Sequence, residues 1–119
     1  MNNIKFRAWN GSSMIHIESL YFFEEEGIHE VKNGKASGLS CDYDIMQYTG
    51  YNYKDTGEEM YVGDVVYIPG QGNCEICIDI FYGITAKKGR YEIPLIDCIA
   101  EGDYPVKLGN KYENPELLS

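Results

Sequence analysis

Basic charge is scarce in this chain of 119 residues: 10 lysines and arginines stand against 19 acids, a formal net charge of −9. A field of that sign repels phosphate backbones and anionic membrane surfaces, which argues against general nucleic-acid binding. The deficit runs through the whole sequence, because residues 1–60 carry ten acids and five bases and residues 61–119 carry nine and five. No apolar run approaches the roughly 18–20 residues of a membrane-spanning helix. Met1-Asn2-Asn3-Ile4-Lys5 lacks the apolar core of a signal peptide. A cytosolic protein is the expectation, with its four cysteines as thiols. There is no GxGxxG, no P-loop and no HExxH. The two histidines, His16 and His29, have no serine, cysteine or acid beside them in a catalytic spacing. The expectation is a protein without enzymatic activity, metal or cofactor.

Glycine and tyrosine, in contrast, are plentiful: 13 and 11 residues. Both suit a β-rich fold with many turns. Ile4 to Trp9 alternates, with Ile4, Phe6 and Ala8 on one face. Asn10-Gly11 is a two-residue turn signal, and Ser13 to Ile17 reads as the return strand with His16 outward. Leu20 to Phe23 is a short apolar run, broken by the solvated glutamates Glu24, Glu25 and Glu26. Ile28–Val31 and Lys35–Leu39 flank a second hairpin signal at Lys32-Asn33-Gly34.

The chain is organised around residues 46–68. Met46 to Gly50 reads as a strand, Tyr51 to Glu59 as a polar hairpin loop, and Met60 to Ile68 as two strands joined at Gly63-Asp64. Glycine is a poor strand-interior residue, so Gly63 marks a bend that Asp64 can hold by accepting backbone hydrogen bonds. Cys74, Ile76, Ile78, Ile80 and Tyr82 then alternate with Glu75, Cys77, Asp79 and Phe81, the clearest strand pattern in the sequence. Lys87-Lys88-Gly89-Arg90 turns the chain, and its simplest role is a hairpin tip. Tyr91–Ile93 and Leu95–Ile99 read as strands interrupted at Pro94. Val106 to Leu108 closes the series. Asn114-Pro115-Glu116-Leu117-Leu118 has a capping residue, a first-turn proline and an acid, which predicts one short helical turn.

Cys74-Glu75-Ile76-Cys77 is a CxxC, but it lies inside a predicted strand, where positions i and i+3 face opposite sides. Cys41 and Cys98 are isolated, so a four-ligand zinc site is not spelled out. Packing of the cysteines is the preferred reading. The tyrosines Tyr43, Tyr48, Tyr51, Tyr53, Tyr61 and Tyr67 crowd one part of the chain. Tyr51 and Tyr53, in the polar loop, are expected to be exposed and to serve as binding residues at a partner interface.

Four blocks together carry a resemblance: Ile4-Lys5-Phe6-Arg7-Ala8-Trp9-Asn10, Met46-Gln47-Tyr48-Thr49-Gly50, Tyr61-Val62-Gly63-Asp64-Val65-Val66, and Gly109-Asn110-Lys111-Tyr112-Glu113-Asn114-Pro115-Glu116-Leu117-Leu118. In this order the sequence resembles the YopX-like family of small proteins encoded by phages and prophages. Asn10 stands where an aspartate is usual, and Val62 where a glutamate is. The resemblance implies a mainly β fold, with an N-terminal β subdomain (residues 1–45) followed by a small SH3-like barrel (46–119) and the short C-terminal helical turn. It carries over no catalytic residues. The function it leads to is a phage accessory protein that binds a host or phage protein, for which the acidic surface suits a basic partner. Self-association stays open. Two other readings are an acidic nucleic-acid mimic that blocks a defence or transcription protein, and a small thiol or metal protein using the CxxC.

Overall fold

The computed structural model describes residues 5–17, 19–23, 27–32, 37–38 and 44–118. The hairpin signal expected at Asn33-Gly34, the glutamates 24–26 and Cys41 lie outside them. The chain forms two compact units, Met1–Tyr48 and Thr49–Ser119.

In the first unit β1 (Phe6–Trp9) pairs antiparallel with β2 (Met14–His16), with Ala8 opposite Ile15. On its other side β1 pairs with the start of β6 (Asp44–Asn52), with Ala8 opposite Ile45. The turn between β1 and β2 differs from the expected two-residue form. Trp9 pairs with Met14, so four residues make the loop. Asn10 does not take positive φ; its Oδ1 instead accepts hydrogen bonds from the amides of Ser12 and Ser13, both at 2.9 Å. The side chain acts as an Asx turn, and Gly11 alone supplies the positive φ. A second, three-stranded sheet has the order β3-β4-β5, with β3 (Ser19–Phe23), β4 (Gly27–Lys32) and β5 (Ser37–Gly38).

The second unit is built on a five-stranded antiparallel sheet. Its strands are β8 (Asp64–Ile68), β9 (Gly72–Asp79), β10 (Gly83–Lys88), β11 (Tyr91–Pro94) and β12 (Val106–Asn110), in the order β11-β10-β9-β8-β12. The sheet curls into a half-barrel, and closure into an SH3-like ring is not part of that order. β7 (Glu59–Tyr61) is hydrogen-bonded to β6 and lies outside the five. The core gathers Tyr53, Met60, Val66, Ile68, Cys74, Ile76, Ala86, Leu95 and Cys98 on one face.

Two expectations are corrected. Leu95–Ala100 is a helix, α1, and not a strand. Its apolar residues fall at helical spacing: Leu95 and Cys98 are buried and Ile99 packs against the core, while Ile96 and Asp97 face out. Pro94, the last residue of β11, has no N–H to carry the ladder further, and Asp97 complements the dipole of the helix's first turn. β9 also ends earlier than its alternation predicts, at Asp79. Cys74 and Ile76 are buried, whereas Ile78, Ile80 and Tyr82 are exposed.

The Gly63-Asp64 corner is as drawn from the sequence. Gly63 has φ +95°, a left-handed conformation that side chains with a Cβ avoid. Its amide donates to the Ile76 carbonyl and its carbonyl accepts from the Lys111 amide, both at 2.9 Å. Asp64 is fully buried, and its Oδ2 accepts from the Tyr61 amide at 3.0 Å and from the Tyr53 hydroxyl at 2.6 Å. One dipeptide therefore joins the start of the 53–58 loop, β7, β9 and the segment after β12.

That last segment is a second hydrogen-bonded knot. Asn110 Oδ1 accepts from the amides of Tyr112 and Glu113, and Asn114 Oδ1 accepts from the Asn110 amide at 3.3 Å. A Cβ on Gly109 would fall on the Asn114 side chain, 2.7 Å from its Cγ, so the close approach requires glycine there. Pro115–Leu118 then forms the expected helical turn, of 3₁₀ type. The Leu117 carbonyl accepts from Asn73 Nδ2 at 3.1 Å, which ties the turn to β9. Leu117 is half-buried and Leu118 is exposed.

Asp64→Ala leaves two buried donors without an acceptor and should cost roughly 2–4 kcal/mol of stability, and Tyr53→Phe about 1–2 kcal/mol. A double-mutant cycle on urea denaturation midpoints should show the two costs to be non-additive, because they share one hydrogen bond. Additive losses would mean that the bond does not couple them. Deletion of residues 114–119 removes the Asn114 knot and the half-burial of Leu117, and should lower stability by about 2 kcal/mol. An unchanged thermal melting curve would show the turn to be undocked.

Candidate functional site

The two tyrosines expected at an interface do not share an exposed surface. β6 continues to Asn52, so Tyr51 belongs to the strand; it is half-buried and packs against the core. Tyr53 is 1% exposed and spends its hydroxyl on Asp64. The polar sequence around it conceals this, because Lys54 to Glu58 are exposed while the loop folds its first residue inward. The Tyr53 amide donates to the Glu58 carbonyl and the Gly57 amide to the Tyr53 carbonyl, both at 2.8 Å, which closes the loop. Tyr53 is thus a core residue and not the exposed side chain that was expected. Tyr61 is buried as well, whereas Tyr67 is exposed.

The CxxC cysteines are parted by the strand that holds them. Cys74 is buried with the core, and Cys77 lies on the opposite face of β9, where its thiol donates to Glu75 Oε2 at 3.5 Å. Burial pushes the Cys77 thiol up to about 12, and the neighbouring Glu75 carboxylate adds to the rise. Burial also raises the Cys74 and Cys98 thiols. Thiols held protonated are poor nucleophiles and poor metal ligands. Among the described residues no group of three or more His, Cys, Asp or Glu is placed to hold a metal ion.

The feature that the sequence did not disclose is the β9–β10 turn. Asp79 pairs with Gly83, which leaves Ile80, Phe81 and Tyr82 as a three-residue loop. Asp79 Oδ1 accepts from the amides of Phe81 at 2.7 Å and Tyr82 at 3.1 Å, and Gly83 takes φ +73°. This is the construction of a three-residue hairpin with a left-handed glycine after the turn. The result is a fixed tip whose three large side chains point to solvent: Ile80 is 90% exposed, Phe81 84% and Tyr82 63%. Ile78, 51% exposed, extends the apolar surface down the strand. The signal was present as Asp79 and Gly83 four residues apart. It was masked because Ile78, Ile80 and Tyr82 keep the strand alternation through the turn.

Lys87, Lys88 and Arg90 surround the next turn, at the opposite end of β10, and all three are exposed, as a hairpin tip should be. The apolar tip and the basic tip therefore occupy the two ends of one strand.

Comparison with known proteins adds a family and a fold. The family model described as "YopX protein" matches residues 5–119. The fold is similar to that in the crystal structure of protein EF1440 from Enterococcus faecalis, with a TM-score of 0.78 over 100% of both chains at 20% sequence identity. No curated protein matches the chain. At that identity the likeness speaks for the fold alone.

The protonated Cys77 thiol has two measurable consequences. At pH 8 only about one thiol in ten thousand would be ionised, so iodoacetamide should modify Cys77 far more slowly in the native protein than in urea. Between its ordinary value of 9.0 and about 12 the unfolded thiol ionises while the folded one does not, so this group's contribution to stability falls as pH rises through that window. Equal alkylation rates in native and unfolded protein would overturn the assignment.

Proposed function

The chain belongs to the YopX family, and from that premise we propose that it is a phage- or prophage-encoded accessory protein that works as a non-enzymatic protein-binding module. The observation that carries the proposal is the Ile80-Phe81-Tyr82 tip. Large apolar side chains that could be buried contribute about 1.5–3 kcal/mol each on leaving water. Here two of them, with a tyrosine, are held in solvent by a turn that Asp79 and Gly83 fix in advance. A preformed turn loses little conformational entropy on association. Aromatic anchors of this kind dominate the energetics of many protein interfaces. The role first assigned to Tyr51 and Tyr53 passes to these three residues.

The proposed setting is the host cytosol, a reducing compartment that suits the free thiols of Cys74, Cys77 and Cys98. The net charge of −9 favours a partner with a basic rim around an apolar pocket. The thiol or metal reading loses its support, since the two CxxC sulfurs lie on opposite faces and stay protonated.

The test is affinity capture from host lysate with the wild type, Phe81→Ser, and Thr56→Ser as an exposed control, followed by binding to the purified captured protein. Phe81→Ser should leave the melting temperature within the shift of about 0.5 kcal/mol typical of surface changes. It should weaken the purified interaction at least about tenfold, the loss of one hot spot. Binding that the tip variant retains in full would defeat the proposal.

A further inference from the structure

At the open end of the half-barrel, between the β8–β9 turn and the β10–β11 turn, lies a cleft of about 330 Å³ lined by Gln71, Cys74, Ala86, Lys88, Tyr91 and Ile93. That volume is at the lower end of the range for small-molecule sites, and barrel mouths are a common place for them. The strand register explains the lining. Lys88 pairs with Tyr91 and Ala86 with both Ile93 and Ile76, so all of these share the core face of the sheet. The cleft floor is thus the edge of the hydrophobic core: Cys74 and Ala86 are buried, and Ile93 packs against them. Tyr91, 79% exposed, stands at the wall, and Lys88 at the lip.

Lys88 is held in place. Its Nζ donates to the Gln71 carbonyl at 2.8 Å, across the mouth. Gly72 makes room for it: a Cβ there would lie 2.9 Å from Nζ. An ammonium group carries three donors, so two remain for another acceptor. Its charge reaches the floor, since Lys88 pulls the Cys74 thiol down against the larger upward push of burial. In a chain of net charge −9, this cation and its neighbours Lys87 and Arg90 make the one concentration of positive charge in the sequence.

We propose that this cleft binds a small organic monoanion with a compact apolar body, an aromatic carboxylate being the simplest member of the class. The apolar body lies on Cys74, Ala86 and Ile93 beside the Tyr91 ring, and the anionic group accepts from Lys88 Nζ at the lip. The site is separate from the protein-binding tip and shares no residue with it.

The experiment is an amide-resolved NMR titration of the full chain with 1-naphthoate, run beside 1-naphthalenemethanol and inorganic phosphate. The expected result is saturable shifts at Gln71–Cys74 and Lys88–Ile93 with naphthoate, and at least about tenfold weaker binding of the neutral alcohol. Lys88→Met should weaken naphthoate to the level of the alcohol, and Tyr91→Ala, at a side chain already in solvent, should weaken both aromatic probes. Phe81→Ser should change neither, which separates this site from the tip. Equal affinity for acid and alcohol, shifts centred on Ile80–Tyr82, the same shifts with phosphate alone, or no saturation would each overturn the proposal.

Discussion

The second unit depends on one carboxyl group. Asp64 sits where the chain must reverse from β7 into β8, and its side chain is out of reach of solvent. The buried Tyr61 amide and Tyr53 hydroxyl both find their acceptor in its Oδ2. A buried donor left unmade costs about as much as the group's desolvation, so the aspartate decides whether Tyr53 can enter the core at all. Gly63 beside it is the backbone half of the same device. Its positive φ turns its amide toward β9 and its carbonyl toward Lys111. Hydrophobic burial supplies the driving force for this unit, but it is non-directional. The corner and the Asn110–Asn114 knot supply direction, through acceptors that only one arrangement of the chain satisfies.

Much of this could be read from the residues, because glycine beside aspartate between two apolar runs has few other structural uses. The mainly β class, the Gly63-Asp64 bend and the terminal turn at Pro115 were all legible in this way. What was not legible has physical reasons. Leu95 to Ile99 is five residues long, too short for periodicity alone to separate helix from strand. Tyr53 looked exposed because its neighbours are polar, whereas its partner Asp64 lies eleven residues on and meets it only in space. Ile80 and Tyr82 looked like strand residues because alternation reports which face a side chain takes, and cannot report where the strand ends or whether anything covers that face. The turn that exposes them is decided by one Asp79 oxygen and one glycine.

The same comparison explains why a family signature says so little here about activity. Two of the four blocks that carry the resemblance build the corner and the knot: Tyr61 to Val66 holds Gly63 and Asp64, and Gly109 to Pro115 holds Asn110 and Asn114. These residues have spent their polar groups internally. The family match covers residues 5–119 and, in these two blocks, falls on residues that hold the fold together. A structural likeness of TM-score 0.78 at 20% identity speaks for the fold alone. Function has to be sought in side chains that the fold does not consume.

Those side chains fall at the two ends of β10, and the strand itself explains their difference. Its centre, Thr85 and Ala86, is buried and leaves no freedom of composition. Its beginning follows a loop of three large apolar residues; its end runs into a turn with three cations in an acidic chain. The side chains at both ends lie in solvent, whereas Asp64 is fully buried. An exposed Ile80, Phe81 and Tyr82 forgo the burial that drives folding. A clustered Lys87, Lys88 and Arg90 repel one another. The two ends differ in chemistry, apolar at one and cationic at the other, and both lie in solvent; the proposals for binding start from that difference.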